Sequence, residues 1–479
     1  MTASNILHYI VMTFYVLLIA GTAMVVVLEN RKPEKTIAWL IVLTFLPVAG
    51  WIFFYFFGQD ERRRHILSRG GYASIAQQLH HALEGEAKPV VPKKYETLGR
   101  LDEHSGAYSP TSGNDVEMLY DGVAFVSTLL RDIYAAREHI HIETYIIEDD
   151  AVGRLVRDAL TDRAREGIEV RLLYDDVGCW RVPQTFFQPL EEAGGFVFPF
   201  LPVRFPSLTR RANYRNHRKV CVFDGRTGYI GGMNLALRYV SRRGGTWHDA
   251  QLRVGGSAAR SLQATFLSSW YFATGRLRKE PRFFPAVEGQ KERVAEGTST
   301  VQIIASTPIS RFPEIMYSVT SLATRAERYL YIQTPYFMPT EPVLQALQTA
   351  AMGGVDVRLM LPEKPDAFWL RWANDSFLAD VLDAGVRVLR YKAGFLHAKT
   401  IVCDDDCCSV GSANMDFRSF ENNFEANALV YDPTLAGKMR RQFEADEALC
   451  EEIHADHWAT RPLMRRALES ITRIFSPLL

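Results

Sequence analysis

Two short stretches carry the residues best suited to chemistry. His217-Arg218-Lys219-Val220-Cys221-Val222-Phe223-Asp224 and His397-Ala398-Lys399-Thr400-Ile401-Val402-Cys403-Asp404 share the spacing H-x-K-x-x-x-x-D. Their continuations match as well: Gly231-Gly232-Met233-Asn234 and Gly411-Ser412-Ala413-Asn414 stand at the same offset from each aspartate. A cluster of His, Lys and Asn without thiol ligands suits an anionic phosphoryl group. Lysine supplies fixed positive charge, asparagine donates hydrogen bonds, and imidazole attacks phosphorus or carries a proton. Two copies give two imidazoles, one to act as nucleophile and one to protonate the leaving alkoxide. A single copy would pass as a core strand with incidental polar residues; a duplicate with matched tails does not.

The elements that position these residues follow from periodicity. Each motif alternates into β-branched and apolar residues and reads as a strand, on which His and Lys, two apart, share a face. Turn-like residues at 225–228 and 404–406 make each motif one arm of a hairpin. The small residues of the returning strand leave room for a ligand at the backbone, and Asn adds amide donors. Upstream, the order helix, strand, helix, strand occurs over 116–137, 139–147, 152–166 and 168–175. It returns over 313–328, 329–337, 341–352 and 355–361. Gly167-Ile168-Glu169-Val170-Arg171-Leu172 parallels Gly354-Val355-Asp356-Val357-Arg358-Leu359, which supports a duplicated α/β unit.

The duplicated motif resembles the signature of the phospholipase D superfamily. Trp247-His248-Asp249 follows the first copy and Asn422-Asn423-Phe424-Glu425 the second. With a hydrophobic amino-terminal hairpin and the ending Phe475-Ser476-Pro477-Leu478-Leu479, the chain resembles bacterial cardiolipin synthases along essentially its whole length. The resemblance implies an α/β fold of two phospholipase-D-like halves packed face to face around one shared active site. It implies phosphatidyl transfer between two phosphatidylglycerol molecules, giving cardiolipin and glycerol through a phosphatidyl-histidine. His217, Lys219, Asp224, His397, Lys399 and Asp404 are then the catalytic set, with His217 as nucleophile and His397 as acid and base. Asn234, Asn414, Arg215, Asp249 and Glu425 are the substrate-binding set. An imidazole in this role needs an acceptor on its other nitrogen. The expected pairings are Glu425 with His397 and Asp249 with His217. Asp224 and Asp404 end their strands and are expected to position the hairpins, although the signature includes them. Tyr145 and Tyr336 end the paired strands, either lining the lipid path or packing in the core. No cofactor and no metal is implied. With water as acceptor the same site is a phospholipase D, with serine a phosphatidylserine synthase; a membrane-tethered nuclease is the reading from another class.

Composition narrows the classes. The 479 residues carry 55 basic and 55 acidic side chains, so bulk charge argues against a nucleic-acid partner. Six cysteines, Cys179, Cys221, Cys403, Cys407, Cys408 and Cys450, lack zinc-site spacing and read as reduced thiols. Residues 6–28 and 36–57 are apolar runs, each about 20 residues, the length that crosses a bilayer as helix. The expectation is a two-span hairpin in a bacterial cytoplasmic (inner) membrane. Lys/Arg counts around it lean only slightly towards a cytoplasmic catalytic part. The resulting scheme is a transmembrane hairpin 1–60, a juxtamembrane linker 61–115 with some helix over 75–84, a first half 116–280, a connector 281–300, a second half 301–450 and an amphipathic tail 451–479. Arg210-Arg211-Ala212-Asn213-Tyr214-Arg215, just before His217, suits recruitment of anionic headgroups. In the tail, Leu463, Ala467, Ile471 and Phe475 form one helical stripe, suited to an interface or to packing on the protein. Phosphatidylglycerol and cardiolipin are the expected partners, with a homo-oligomer left open.

Overall fold

In the computed structural model, residues 3–28, 33–57, 79, 83, 91–203, 214–240, 246–286 and 299–476 are described. The expected helix over 75–84 (apart from positions 79 and 83), most of the basic loop over 210–215 and most of the connector lie outside the described residues. The chain divides into two units, Met1–Arg69 with Val203–Tyr214, and Gly70–Pro202 with Arg215–Leu479.

Among its described residues the first unit holds three apolar helices, Ala3–Leu28, Pro33–Phe45 and Pro47–Phe57. Val26, Leu43 and Phe54 bury against one another, with Trp39 edge-on to Phe54. His8–Leu28 is long and apolar enough to cross a membrane, and no other helix among the described residues is. The second expected span, 36–57, is seen as two consecutive helices rather than one. The break falls at Leu46, just before Pro47, a residue type that has no backbone N–H to continue a helix. The pieces have 13 and 11 residues.

The second unit contains both α/β halves, and the sheet order runs through both of them. In the first half, His139–Thr144, Glu169–Asp175 and Phe196–Phe200 are parallel neighbours. The hairpin Val220–Phe223 and Thr227–Gly231 continues the sheet antiparallel, followed by Gln251–Gly255. The second half repeats this order. Tyr329–Gln333, Asp356–Pro362 and Arg387–Tyr391 are parallel, and Thr400–Cys403, Cys407–Gly411 and Asn423–Tyr431 follow. Thr111–Leu119 joins the halves. Its first residues pair with Ser299–Ser306 and its last with Gln251–Gly255. Thr227–Gly231 and Gln251–Gly255 lie against the second half's Cys407–Gly411, and Thr227–Gly231 also against Asn423–Tyr431. The helix Ser257–Thr274 touches strands of both halves and is buried over most of its length.

Each half has its own apolar core. Helices expected over 152–166, 313–328 and 341–352 are seen as Ala151–Arg165, Glu314–Arg325 and Glu341–Met352. The helix expected over 116–137 begins only at Gly122, because residues to Leu119 are strand and Asp121 caps the helix by accepting from Ala124 N at 2.8 Å. Much of the expected linker is also folded: Glu96–Ser105 is a helix whose Leu98, with Tyr95 just before it, enters the second core.

Candidate active site

Neither motif histidine sits within its hairpin strand. His217 and Lys219 occupy the link between the short strand Arg215–Asn216 and Val220–Phe223, and His397 and Lys399 the equivalent link between Gly394–Leu396 and Thr400–Cys403. Both short strands cross to the opposite half. Arg215 and Asn216 pair in parallel with Asn423 and Phe424, and one step further His217 meets Glu425. Phe395 and Leu396 pair in parallel with Trp247 and His248, and one step further His397 meets Asp249. His217 N donates to Phe424 O at 2.9 Å and His397 N to His248 O at 2.7 Å.

This register corrects the expected pairings, which are exchanged. His217 Nδ1 lies 3.0 and 3.1 Å from the Glu425 carboxylate oxygens. His397 Nδ1 lies 2.6 Å from Asp249 Oδ2. With Nδ1–H donated to a carboxylate, each ring keeps Nε2 free of that bond for chemistry. The small residues of the returning strands also take another role than the expected one. A Cβ on Gly232 would stand 2.1 Å from Asp249 Oδ1, so this glycine makes room for the carboxylate rather than for a ligand. At the equivalent position Ser412 Oγ donates to Glu425 Oε2 at 2.5 Å.

The two carboxylates differ electrostatically. Burial pushes Glu425 up, but His217, Lys219 and the Ser412 hydroxyl outweigh it and hold its carboxyl below the usual range. Burial drives Asp249 up to about 6 against Lys399 and the Ala250 amide. Burial also lowers both imidazoles. His217 falls to about 4 against the pull of Glu425. His397 falls well below its ordinary value, pushed further by Lys399, Lys219 and His217. Burial brings Lys219 to about 7 and Lys399 to about 8. Lys219 Nζ donates to His217 O at 2.6 Å; Lys399 Nζ donates to His397 O and lies 3.0 Å from His397 Nδ1. Two imidazoles and two ammonium groups thus act on one another in a single buried cluster.

The remaining expected residues separate. Asn234 spends its amide on structure, accepting from Ile146 N at 3.0 Å and donating to Tyr239 OH at 2.7 Å. Asn414 keeps a buried Oδ1 without a partner. Arg215 is buried in the crossing strand, its charge opposed by burial and supported by Asp175. Asp224 and Asp404 are placed away from the imidazoles. Asp224 accepts the backbone N–H groups of Arg137, Glu138 and His139 at 2.8–2.9 Å. Asp404 does the same for Glu327, Arg328 and Tyr329, each at 2.8 Å, and also binds Lys94. Both have positive φ, 52° and 54°, a turn geometry that aspartate tolerates. Both carboxylates are thus engaged in holding their hairpins, the positioning role expected for them, rather than pointing to the imidazoles.

Several supporting residues were not foreseen, although Tyr145 was expected near the site. Arg218, fully buried, reaches Glu425 O at 3.0 Å, Ser269 Oγ at 2.8 Å and Ser306 O at 2.9 Å. Asn216 Nδ2 donates to Glu143 Oε1 at 2.6 Å. Trp247 and Tyr239 wall His397, with ring centroids 5.0 and 5.8 Å away, while Tyr145 stands edge-on to His217 at 4.8 Å. The middle residue of H-R-K was the available signal for Arg218. Nothing local marked Trp247 as a neighbour of the second histidine.

Comparison with known proteins decides the family. A family model described as "Cardiolipin synthase, PLD-like domain" matches residues 129–247 and 319–447, and "Phospholipase_D-nuclease N-terminal" matches 14–59. The chain belongs to the cardiolipin synthase family. It is 37% identical to cardiolipin synthase 2 of Bacillus cereus, over 95% of this chain and 89% of that one. It is also 37% identical to the major cardiolipin synthase ClsA of Bacillus subtilis, over 97% and 98%. The fold is shared with phosphatidylserine synthase of Haemophilus influenzae, at a TM-score of 0.62, 15% identity and coverage of 80% of this chain and 100% of that one. The duplicated domain match spans both histidine motifs, so the family's two repeats coincide with the two halves that exchange carboxylates.

Proposed function

We propose that the protein makes cardiolipin by transferring a phosphatidyl group between two phosphatidylglycerol molecules. His217 Nε2 attacks the phosphorus of the first lipid. The bond from phosphorus to the terminal glycerol oxygen breaks, and His397, protonated once the anionic lipid phosphate enters beside it and offsets the neighbouring cations, gives that oxygen the proton from Nε2. A phosphatidyl-histidine remains, with the imidazolium charge of His217 balanced by Glu425. His397, now neutral, takes the proton from a hydroxyl of the second phosphatidylglycerol. That oxygen attacks phosphorus and His217 leaves. Two phosphatidylglycerols give one cardiolipin and one glycerol, and both histidines return to their starting states.

The crossed His–carboxylate pairs carry this reading. The better-satisfied carboxylate, Glu425, accepts from Ser412 Oγ at 2.5 Å and Asn423 Nδ2 at 3.1 Å, which suits it to face the lasting charge of a covalent intermediate. Asp249, already pushed up to about 6, suits a partner that must give a proton and take it back. Lys219 and Lys399 hold the non-bridging phosphoryl oxygens, Asn414 the glycerol portion, and Arg215 a headgroup. The amino-terminal helices anchor the enzyme in a bacterial cytoplasmic membrane, with the broken second run as a second span.

The test is product analysis with purified protein and phosphatidylglycerol alone. Cardiolipin and glycerol in equal amounts are expected; phosphatidic acid as the main product would make water the acceptor and overturn the reading. Enzyme denatured at mildly alkaline pH should carry phosphorus label from the lipid on His217, lost on acid treatment, and acid-stable label on a serine would discard the histidine intermediate.

A further inference from the structure

A surface helix ordinarily turns its apolar stripe inward and its charges to water. Leu463–Phe475 does the reverse. Its inward face is charged. Arg465 pairs with Asp375 at 2.8 Å and with Glu469 at 3.1 Å, and Arg473 with Asp380 at 2.8 Å. Arg461, just before the helix, pairs with Glu469 at 2.9 Å and stacks over Trp458 at 4.0 Å. Asp375 is fully buried and also holds Arg390, so this inward seat is a fixed one. The outward face is apolar: Leu463, Met464, Ile471 and Ile474 are 80%, 73%, 53% and 74% exposed. The helix Phe368–Asp375, which packs against it, exposes Phe368 and Trp369 as well.

The charges at this face select its occupant. Arg466 is exposed beside the apolar stripe, whereas Glu469, the one carboxylate of the helix, is buried under Arg461 and Arg465. An apolar stripe with a positive flank, on a helix with no exposed acid of its own, complements an anionic lipid surface. The face also lies next to the chemistry. Asp366, two residues before Phe368, accepts from Tyr336 OH at 2.8 Å, and its charge acts on Lys399.

We infer that the outward face of Leu463–Phe475, with Phe368 and Trp369, seats in the headgroup layer of an anionic bilayer and holds the active-site cluster at the lipid surface. The inference rests on the proposed phospholipid substrate and adds where the catalytic unit meets it. Full-length protein carrying Ile474→Cys in a Cys450→Ser background is labelled with an environment-sensitive fluorophore. It is reconstituted into phosphatidylcholine vesicles with and without phosphatidylglycerol. With phosphatidylglycerol, the emission should shift to the blue, with several-fold stronger quenching by lipid-borne nitroxides than a label at Glu138→Cys shows. Leu463→Cys, at the other end of the helix, should behave alike. Labels that stay accessible to an aqueous quencher in both vesicles overturn the inference. So does protection that tracks protein density rather than lipid charge, which would make the occupant a second copy. The readout needs no turnover. A membrane-seated label without cardiolipin formation overturns the reaction alone, and cardiolipin formation with a water-exposed label overturns the docking face alone.

Discussion

Each motif imidazole is oriented by a carboxylate from the other repeat, and this can be measured residue by residue. A double-mutant cycle on stability should show coupling between His217→Gln and Glu425→Gln, and between His397→Gln and Asp249→Asn, of about 0.5–3 kcal/mol. His217→Gln with Asp249→Asn should be additive. Coupling in that last pair would restore the uncrossed assignment. Glu425→Gln should lower kcat by about 10^3–10^4, the cost of losing the acceptor that fixes the tautomer of a catalytic histidine. The lysines make a separate prediction. Burial lowers Lys219 to about 7 and Lys399 to about 8, so their charge is present below those values and lost as pH rises through them. The KM for phosphatidylglycerol should therefore rise between neutral pH and pH about 9, as cations that hold phosphate disappear. A KM that stays level over that range would place the phosphate away from these ammonium groups.

At the scale of elements, the short crossing strands set the geometry and the returning strands preserve it. Gly232→Ala would put a methyl where Asp249 Oδ1 now lies, 2.1 Å from the new carbon. Displacing that carboxylate by about 1 Å should reduce turnover by roughly 10^2-fold, while the circular dichroism spectrum stays unchanged. Asp224→Ala should act differently, through stability. It leaves three backbone N–H groups over 137–139 without their acceptor, one of them partly buried, and puts alanine at a positive φ, so it should cost about 1–3 kcal/mol in denaturant unfolding. Much of this architecture was legible in the chain. The spacing His217–Lys219–Asp224 and its repeat located both imidazoles and both lysines, and helical periodicity located Ala151–Arg165 and Glu341–Met352. The partner assignment was not legible. Order along the chain places Asp249 after the first motif and Glu425 after the second, but pairing is decided by register between strands 148 and 208 residues apart. Pro47 was visible in the sequence, yet a hydropathy run does not register the hydrogen bond that proline removes.

The whole molecule carries an acid-sensitive element remote from the reacting groups. His139 Nε2 lies 3.0 Å from Gln263 Oε1, and Gln263 Nε2 donates to His141 Nδ1 at 2.8 Å. His139 donates in this chain, so it is His141 Nδ1 that must stay unprotonated to accept, and His141 also stacks on Phe266 with centroids 4.6 Å apart. Burial lowers His139, and it lowers His141 to about 3. A histidine whose folded value is depressed contributes stability above its unfolded value of about 6.5, and that contribution is lost as pH falls towards the folded value. Stability in urea should therefore decline from pH about 6.5 downwards, and His141→Leu should flatten that decline by close to one proton. An unchanged slope in the variant would assign the acid sensitivity to other groups.

The exchange of strands also governs when the enzyme can first act. As the chain leaves the ribosome, the ring at 217 has no acceptor until 208 further residues have been added. The carboxylate at 249 waits 148 residues for its imidazole. Nascent chains that stop short of position 425 are therefore chemically silent, and contacts of such long sequence separation make maturation slow compared with synthesis of either repeat. Lipid already lying beside the growing polypeptide is thus spared from reaction until translation has delivered both repeats.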